Sequence, residues 1–252
     1  MTRFAMSLVA AVACGALCVS LPVRASAPSD SPAQTFEYKI KHAQYGEIGT
    51  YINTVARNGE RTRVTSQMRI AVKLLGVPVY RREADREEHW HGDRLVHFAS
   101  VENRNGERIE VRGEARDDAF VITSPAGAVV APASVRPSNP WSAWILSANV
   151  MMSTSTGRVF HARVFGGQDD VVEIGGRLER LRRFEIHSDK REFVWLDRND
   201  VPVAFRTEDD GASIDFVLHR YPTGEAALWP ATPPPVGNAP ATWPTQFAEG
   251  ER

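Results

Sequence analysis

The sequence predicts an all-β protein with minor α, built on one antiparallel sheet too long to stay flat, and three observations carry that prediction. From Arg61 to Val101 the side chains alternate with a period of two. Val64, Ser66, Met68, Ile70 and Val72 fall on one face, and Thr65, Gln67, Arg69, Ala71 and Lys73 on the other. Turn signals recur along the chain, the strongest at Asn58-Gly59, where both residues tolerate positive φ. Only one helical stretch interrupts the alternating runs. About eleven consecutive strands would have to curl or fold over to bury an apolar face.

Length and composition bound the rest. A chain of 252 residues fits one domain with tails. A net charge of -1 argues against nucleic acid as a partner. Of the 30 basic residues only Lys39, Lys41, Lys73 and Lys190 are lysines. That arginine excess fits either a GC-rich coding bias or anion recognition. Residues 1–25 are expected to be a signal peptide. Arg3 gives a positive start, Phe4 to Leu21 is an uncharged and mostly apolar run, and small residues close it near Ala25. Cleavage there leaves no transmembrane span. Cys14 and Cys18 both lie inside this segment, without a lipidation box around either. The processed chain then has no disulfide and no thiol nucleophile.

Residues 26–34 read as a polar linker, and 35–221 as the folded domain. Phe36, Tyr38 and Ile40 share a face of its first strand, and Ile48 to Val55 forms the second. The alternation breaks at Leu74-Leu75-Gly76-Val77-Pro78, a corner at which both leucines are expected to be buried. Glu88 to His91 turns at Gly92-Asp93 and returns through Leu95 and Phe98. Strands follow over 107–113, 120–122 and 128–133. The helix comes next, with Ser138 or Asn139 as cap and Pro140 in its first position. Trp141, Trp144, Ile145 and Ala148 follow at helical spacing. Further strands run from Val159 to Phe165, with Gly166-Gly167 as a break, then over 177–187, 193–196, 201–207 and 214–218. Residues 222–252 form a proline-rich tail, read as extended or disordered.

Several of these residues together carry a resemblance. They are Tyr38-x-Ile40, Ile48-Gly49, Val72-Lys73-Leu74-Leu75-Gly76, Glu88-x-Trp90-x-Gly92-x-x-Leu95, Asn105-Gly106 and Pro137-Ser138-x-x-Trp141. The pattern resembles a family of uncharacterised exported bacterial proteins, a domain of unknown function. That family is distantly similar to the LolA/LolB-like periplasmic lipoprotein-carrier fold. The resemblance implies a half-barrel, a strongly curved antiparallel sheet whose concave face is covered by helix.

No catalytic motif is present: there is no Gly-x-Ser-x-Gly elbow, His-Glu-x-x-His helix or phosphate loop. His89-x-His91 has zinc-like spacing. In a simple two-residue hairpin, however, His89 opposes Val96 and Glu88 opposes His97, which puts His97 on the other face. No metal and no cofactor are therefore expected. The reading is an exported, periplasmic or secreted binding or carrier protein for a lipid-like, apolar or amphipathic ligand. The candidate ligand-binding residues are Trp141, Trp144, Ile145, Tyr38, Met68 and Trp90. The alternatives are an envelope protein-interaction module, or an enzyme using polar residues at the cavity mouth such as His89 or Glu88.

Overall fold

The computed structural model describes residues 31–220, apart from Gly175, Asp189 and Asp210. The signal peptide, both cysteines, most of the linker and the proline-rich tail lie outside the described residues. Eight strands come first: β1 (Ser31–His42), β2 (Gly46–Asn58), β3 (Arg61–Leu74), β4 (Val77–His91), β5 (Arg94–Arg104), β6 (Glu107–Arg116), β7 (Ala119–Ser124) and β8 (Gly127–Pro132). A connecting segment carries the short strands β9 (Arg136–Pro137), β10 (Val150–Met152) and β11 (Val159–His161). Five more strands follow: β12 (Arg163–Ile174), β13 (Arg177–His187), β14 (Arg191–Leu196), β15 (Pro202–Asp209) and β16 (Ala212–Arg220).

Thirteen strands form one curved antiparallel sheet in the order β12 to β16, then β1 to β8. Each strand pairs with its chain neighbour except at the centre, where β16 meets β1 through pairs such as Ile40 with Phe216. The sheet does not close, so β12 and β8 are its two edges. The connecting segment leads from one edge to the other and forms the second, three-stranded sheet. Its buried residues, among them Trp141, Ile145, Met151 and Met152, join the core supplied by the large sheet.

The alternation of β3 is realised as expected, with Val64, Ser66, Met68, Ile70 and Val72 all buried. Five expectations need correction. Among the described residues there are sixteen strands where about eleven were expected; three of the extra ones are two or three residues long, too short to show a period. The sheet also takes in Ser31 to Gln34, since Ser31 pairs with Arg57 and Gln34 with Val55. Gly166-Gly167 does not end a strand. Instead the glycines make a bulge inside β12, with φ of 113° and 93°. A Cβ at Gly166 would lie 2.5 Å from the Arg183 carbonyl oxygen, so only glycine fits the close approach.

The helix is a single 3-10 turn, Ala143–Ser147, capped by the Ser142 hydroxyl, which accepts from the Trp144 amide. It begins later than expected because the Asn139 side chain is committed to the sheet and cannot cap a helix. Leu74 and Leu75, expected to be buried, are 58% and 97% exposed. Leu75 and Gly76 form a two-residue turn with φ of 50° and 83°, and Leu74 pairs with Val77 at a hairpin end that projects beyond the core.

Candidate functional site

The inner face of the sheet, facing the connecting segment, holds a cavity of about 230 Å³. Its apolar wall comes from Tyr51 and Met68 on β2 and β3, Phe205 and Phe216 on β15 and β16, and Ile145 from the 3-10 turn. Phe205 and Phe216 stack with ring centroids 4.3 Å apart, and Tyr51 meets Phe216 edge-on at 5.7 Å. The charged part of the wall is mostly basic, beside six serine and threonine hydroxyls. Arg82 and Arg86 come from β4, Arg158 from the connecting segment, and Lys190 and Arg206 from the far limb, against a single acidic residue, Glu192. Arg206 is balanced by Asp215, with a 3.0 Å bond from Nη2 to Oδ2.

Beneath this wall, β4 turns the row Arg82, Ala84, Arg86, Glu88 and Trp90 inward. Glu88 is fully buried. Its Oε2 accepts from the indole nitrogens of Trp90 and Trp141, at 3.0 and 2.8 Å, and its Oε1 accepts from Asn139 Nδ2 at 2.8 Å. Asn139 in turn accepts from the Tyr51 hydroxyl. It also donates to Ser66, whose hydroxyl donates to Asn53 Oδ1 at 2.6 Å. Burial pushes the Glu88 carboxyl up to about 7, and the three donors hold it from rising further. The network ties the connecting segment to β2, β3 and β4.

The row at the level of Arg86 is different. Asn53 pairs with Ser66, Ser66 with Arg86, and Arg86 with Ser100, so four polar side chains line up across β2 to β5. All four are buried. Asn53 Nδ2, Arg86 Nε and Ser100 Oγ have no hydrogen-bond partner. Each such buried group costs roughly 1–3 kcal/mol. Arg86 lies 3.8 Å from Glu102, whose oxygens are already taken by Arg82, at 2.9 Å twice, and by Arg104 at 2.8 Å. Burial works to raise the Glu102 carboxyl, but Arg82 and Arg104 outweigh it and hold the group below its ordinary value.

The structure scatters the six candidate binding residues. Met68 and Ile145 line the cavity. Tyr38 sits behind it, its hydroxyl donating to the Pro202 carbonyl at 2.8 Å and its ring edge-on to Phe205. Trp90, Trp141 and Trp144 pack as a triangle with centroids 5.8 to 6.1 Å apart, beneath the Arg136 guanidinium. They anchor the connecting segment and are not among the residues lining the cavity. Sequence reasoning missed Arg82, Arg86, Phe205 and Phe216. The available signal was that Arg82 and Arg86 share a strand face with Trp90.

Two further expectations change. Glu88 is not at a mouth; it is sealed in the interior. The register that separated the histidines is broken by a bulge at Val96, which sets His89 opposite His97 with ring centroids 5.1 Å apart. Each imidazole has its own carboxylate, Glu87 for His89 and Glu114 for His97. Among the described residues, no three side chains of metal-ligating type are arranged to hold one ion. Nor is any described helix long and apolar enough to cross a membrane.

The chain belongs to the family described as "Domain of unknown function (DUF6134)", whose profile matches residues 38–219. It is similar to a solved structure from Brucella abortus, described as a β-barrel-like protein of the domain of unknown function DUF1849. The TM-score is 0.54 with 10% identity, over 74% of this chain and 95% of that one. At that identity the likeness speaks for the fold alone. No curated protein sequence matches the chain.

Proposed function

We propose that this member of the family is an exported binding or carrier protein, holding an apolar or amphipathic, lipid-like ligand in the inner cavity without covalent chemistry. The observation that carries this is the cavity wall, where stacked aromatic rings face a cluster of arginines. Pockets that hold small molecules combine an apolar lining with a few convergent polar groups in this way. The role parallels that of LolA/LolB-like carriers, and the compartment proposed is the periplasm, reached by cleavage near Ala25 that leaves the mature N-terminus between Ser26 and Pro28.

Native mass spectrometry of full-length protein recovered from the envelope tests this reading. The expected result is a protein mass carrying a lipid-like adduct, or gaining one on incubation with envelope lipid extract. A chain that carries nothing and takes up nothing would refute it.

A second reading, docking to an envelope partner, is favoured by one feature. Leu74, Leu75, Val77 and Val79 are exposed together at the β3–β4 hairpin end. Loss of a co-purifying partner on Leu75→Ser would support it.

A further inference from the structure

We propose that the ligand of this cavity is an anionic amphiphile, a carboxylate or sulfate head on an apolar chain, and that Arg86 is the seat of the head. The inference rests on the binding reading above and deepens it.

The first support is the row across β2 to β5. Its three unpartnered groups, Asn53 Nδ2, Arg86 Nε and Ser100 Oγ, are all able to donate a hydrogen bond. They occur on strands joined in one continuous register, on the buried face of the sheet. A set of buried donors without acceptors is rare in folded proteins and calls for an explanation. Of the three, Arg86 is the one that lines the cavity, and an ionised carboxylate or sulfate, which only accepts, matches its unpartnered Nε.

The second support is the charge around Arg86. Its side chain is 7% exposed and lines the cavity. The neighbouring Arg82 is neutralised by a two-pronged pair with Glu102, and Arg104 donates to the same carboxylate as well. Glu102 therefore has little left for Arg86, which it approaches only to 3.8 Å. Buried charges are ordinarily paired and hydrogen-bonded. Guanidinium is also the side chain best shaped to take a carboxylate or sulfate by two parallel bonds.

The third support is size. A cavity of about 230 Å³ has room for an alkyl chain beside Arg86. Tyr51, Met68, Phe205 and Phe216 supply the surface along which the chain lies.

The test uses full-length protein and three eight-carbon probes, octanoate, octyl sulfate and 1-octanol, titrated by calorimetry. Both anions are expected to bind roughly tenfold to a hundredfold more tightly than the alcohol, as charge-assisted hydrogen bonds predict. Arg86→Met is expected to bring octanoate to the level of octanol while octanol binding is retained, and Arg86→Lys to keep most of the preference. The Arg86 Nε–Hε resonance of the wild-type protein should shift on saturation with octanoate. Equal binding of octanol and octanoate would overturn the anionic head and leave the apolar pocket standing. Failure of all three probes to bind would remove both readings. A preference that survives Arg86→Met, or an Arg86 resonance that does not move, would overturn the assignment to Arg86 even if the methionine variant fails to fold.

Discussion

Raising the pH from about 5 to about 8 is expected to destabilise this fold, because Glu88 holds its proton in the folded state and not in the unfolded one. The folded carboxyl titrates at about 7, against an ordinary value of 4.5. Between those two points the folded chain binds one proton more than the unfolded chain, so stability falls as pH rises. The contribution is complete below the unfolded value and is lost as pH passes through the folded one. A gap of about 2.5 units, at ~1.4 kcal/mol each, amounts to about 3 kcal/mol. The carboxylates held below their ordinary value, Glu47, Glu83, Glu87, Glu102 and Glu110, act in the opposite sense and only in more acid solution. Glu88→Gln removes the titration but keeps the shape. Its amide oxygen can accept both indole bonds, and Asn139 can flip to accept from its nitrogen. Urea unfolding followed by tryptophan fluorescence, at both pH values, measures the difference between wild type and variant. That difference should fall by about 2.5 kcal/mol across the window, which starts just above the unfolded value. Parallel pH dependence of the two proteins, within about 0.5 kcal/mol, would refute the reasoning.

Three further outcomes follow from the packing. Changing both Leu74 and Leu75 to serine should move stability by no more than about 0.5 kcal/mol in urea melts, since both side chains stand in solvent. Gly49→Ala should cost at least about 2 kcal/mol by the same measurement, because its Cβ would lie 2.0 Å from the Arg69 carbonyl oxygen. Trp141→Phe should cost about 1–3 kcal/mol by leaving Glu88 short of one donor. It should also raise the Glu88 titration further, which carboxyl NMR of the labelled protein would read.

The fold was legible because β3 carries it openly. Its inward set is apolar at four of the five positions, Val64, Met68, Ile70 and Val72, and its outward set is polar at four of five. Either choice of period or face would therefore have been settled by that strand alone. The connecting segment was less legible because its tryptophans satisfy two patterns at once. Trp141, Trp144 and Ile145 fit a helix stripe, and they fit equally well a loop whose indoles reach down to a buried carboxylate. Periodicity records that the side chains point to one side. It does not record that the Asn139 side chain leaves the capping position for Glu88 and Tyr51.

The site itself was hidden by two bulges. At the tight Leu75-Gly76 turn Leu74 faces Val77, and an unbroken ladder from there would set Val72 opposite Val79. All the odd-numbered residues of β4, from Arg81 to His89, would then face inward. The bulge between Val72 and Lys73 moves Val72 opposite Tyr80 and turns the even-numbered residues inward instead. That one-residue shift places Arg82, Arg86 and Glu88 in the interior and leaves His89 outside. The second bulge, at Val96, does the same for β5, pairing His89 with His97 and Glu88 with Phe98. Both strand faces of β4 are charged, so alternation cannot choose between them. Trp90 can: a tryptophan on an even position favours the even face as the buried one. Taken together with the inward face of β3, it would have set Arg86 beside Ser66 and exposed the buried polar row.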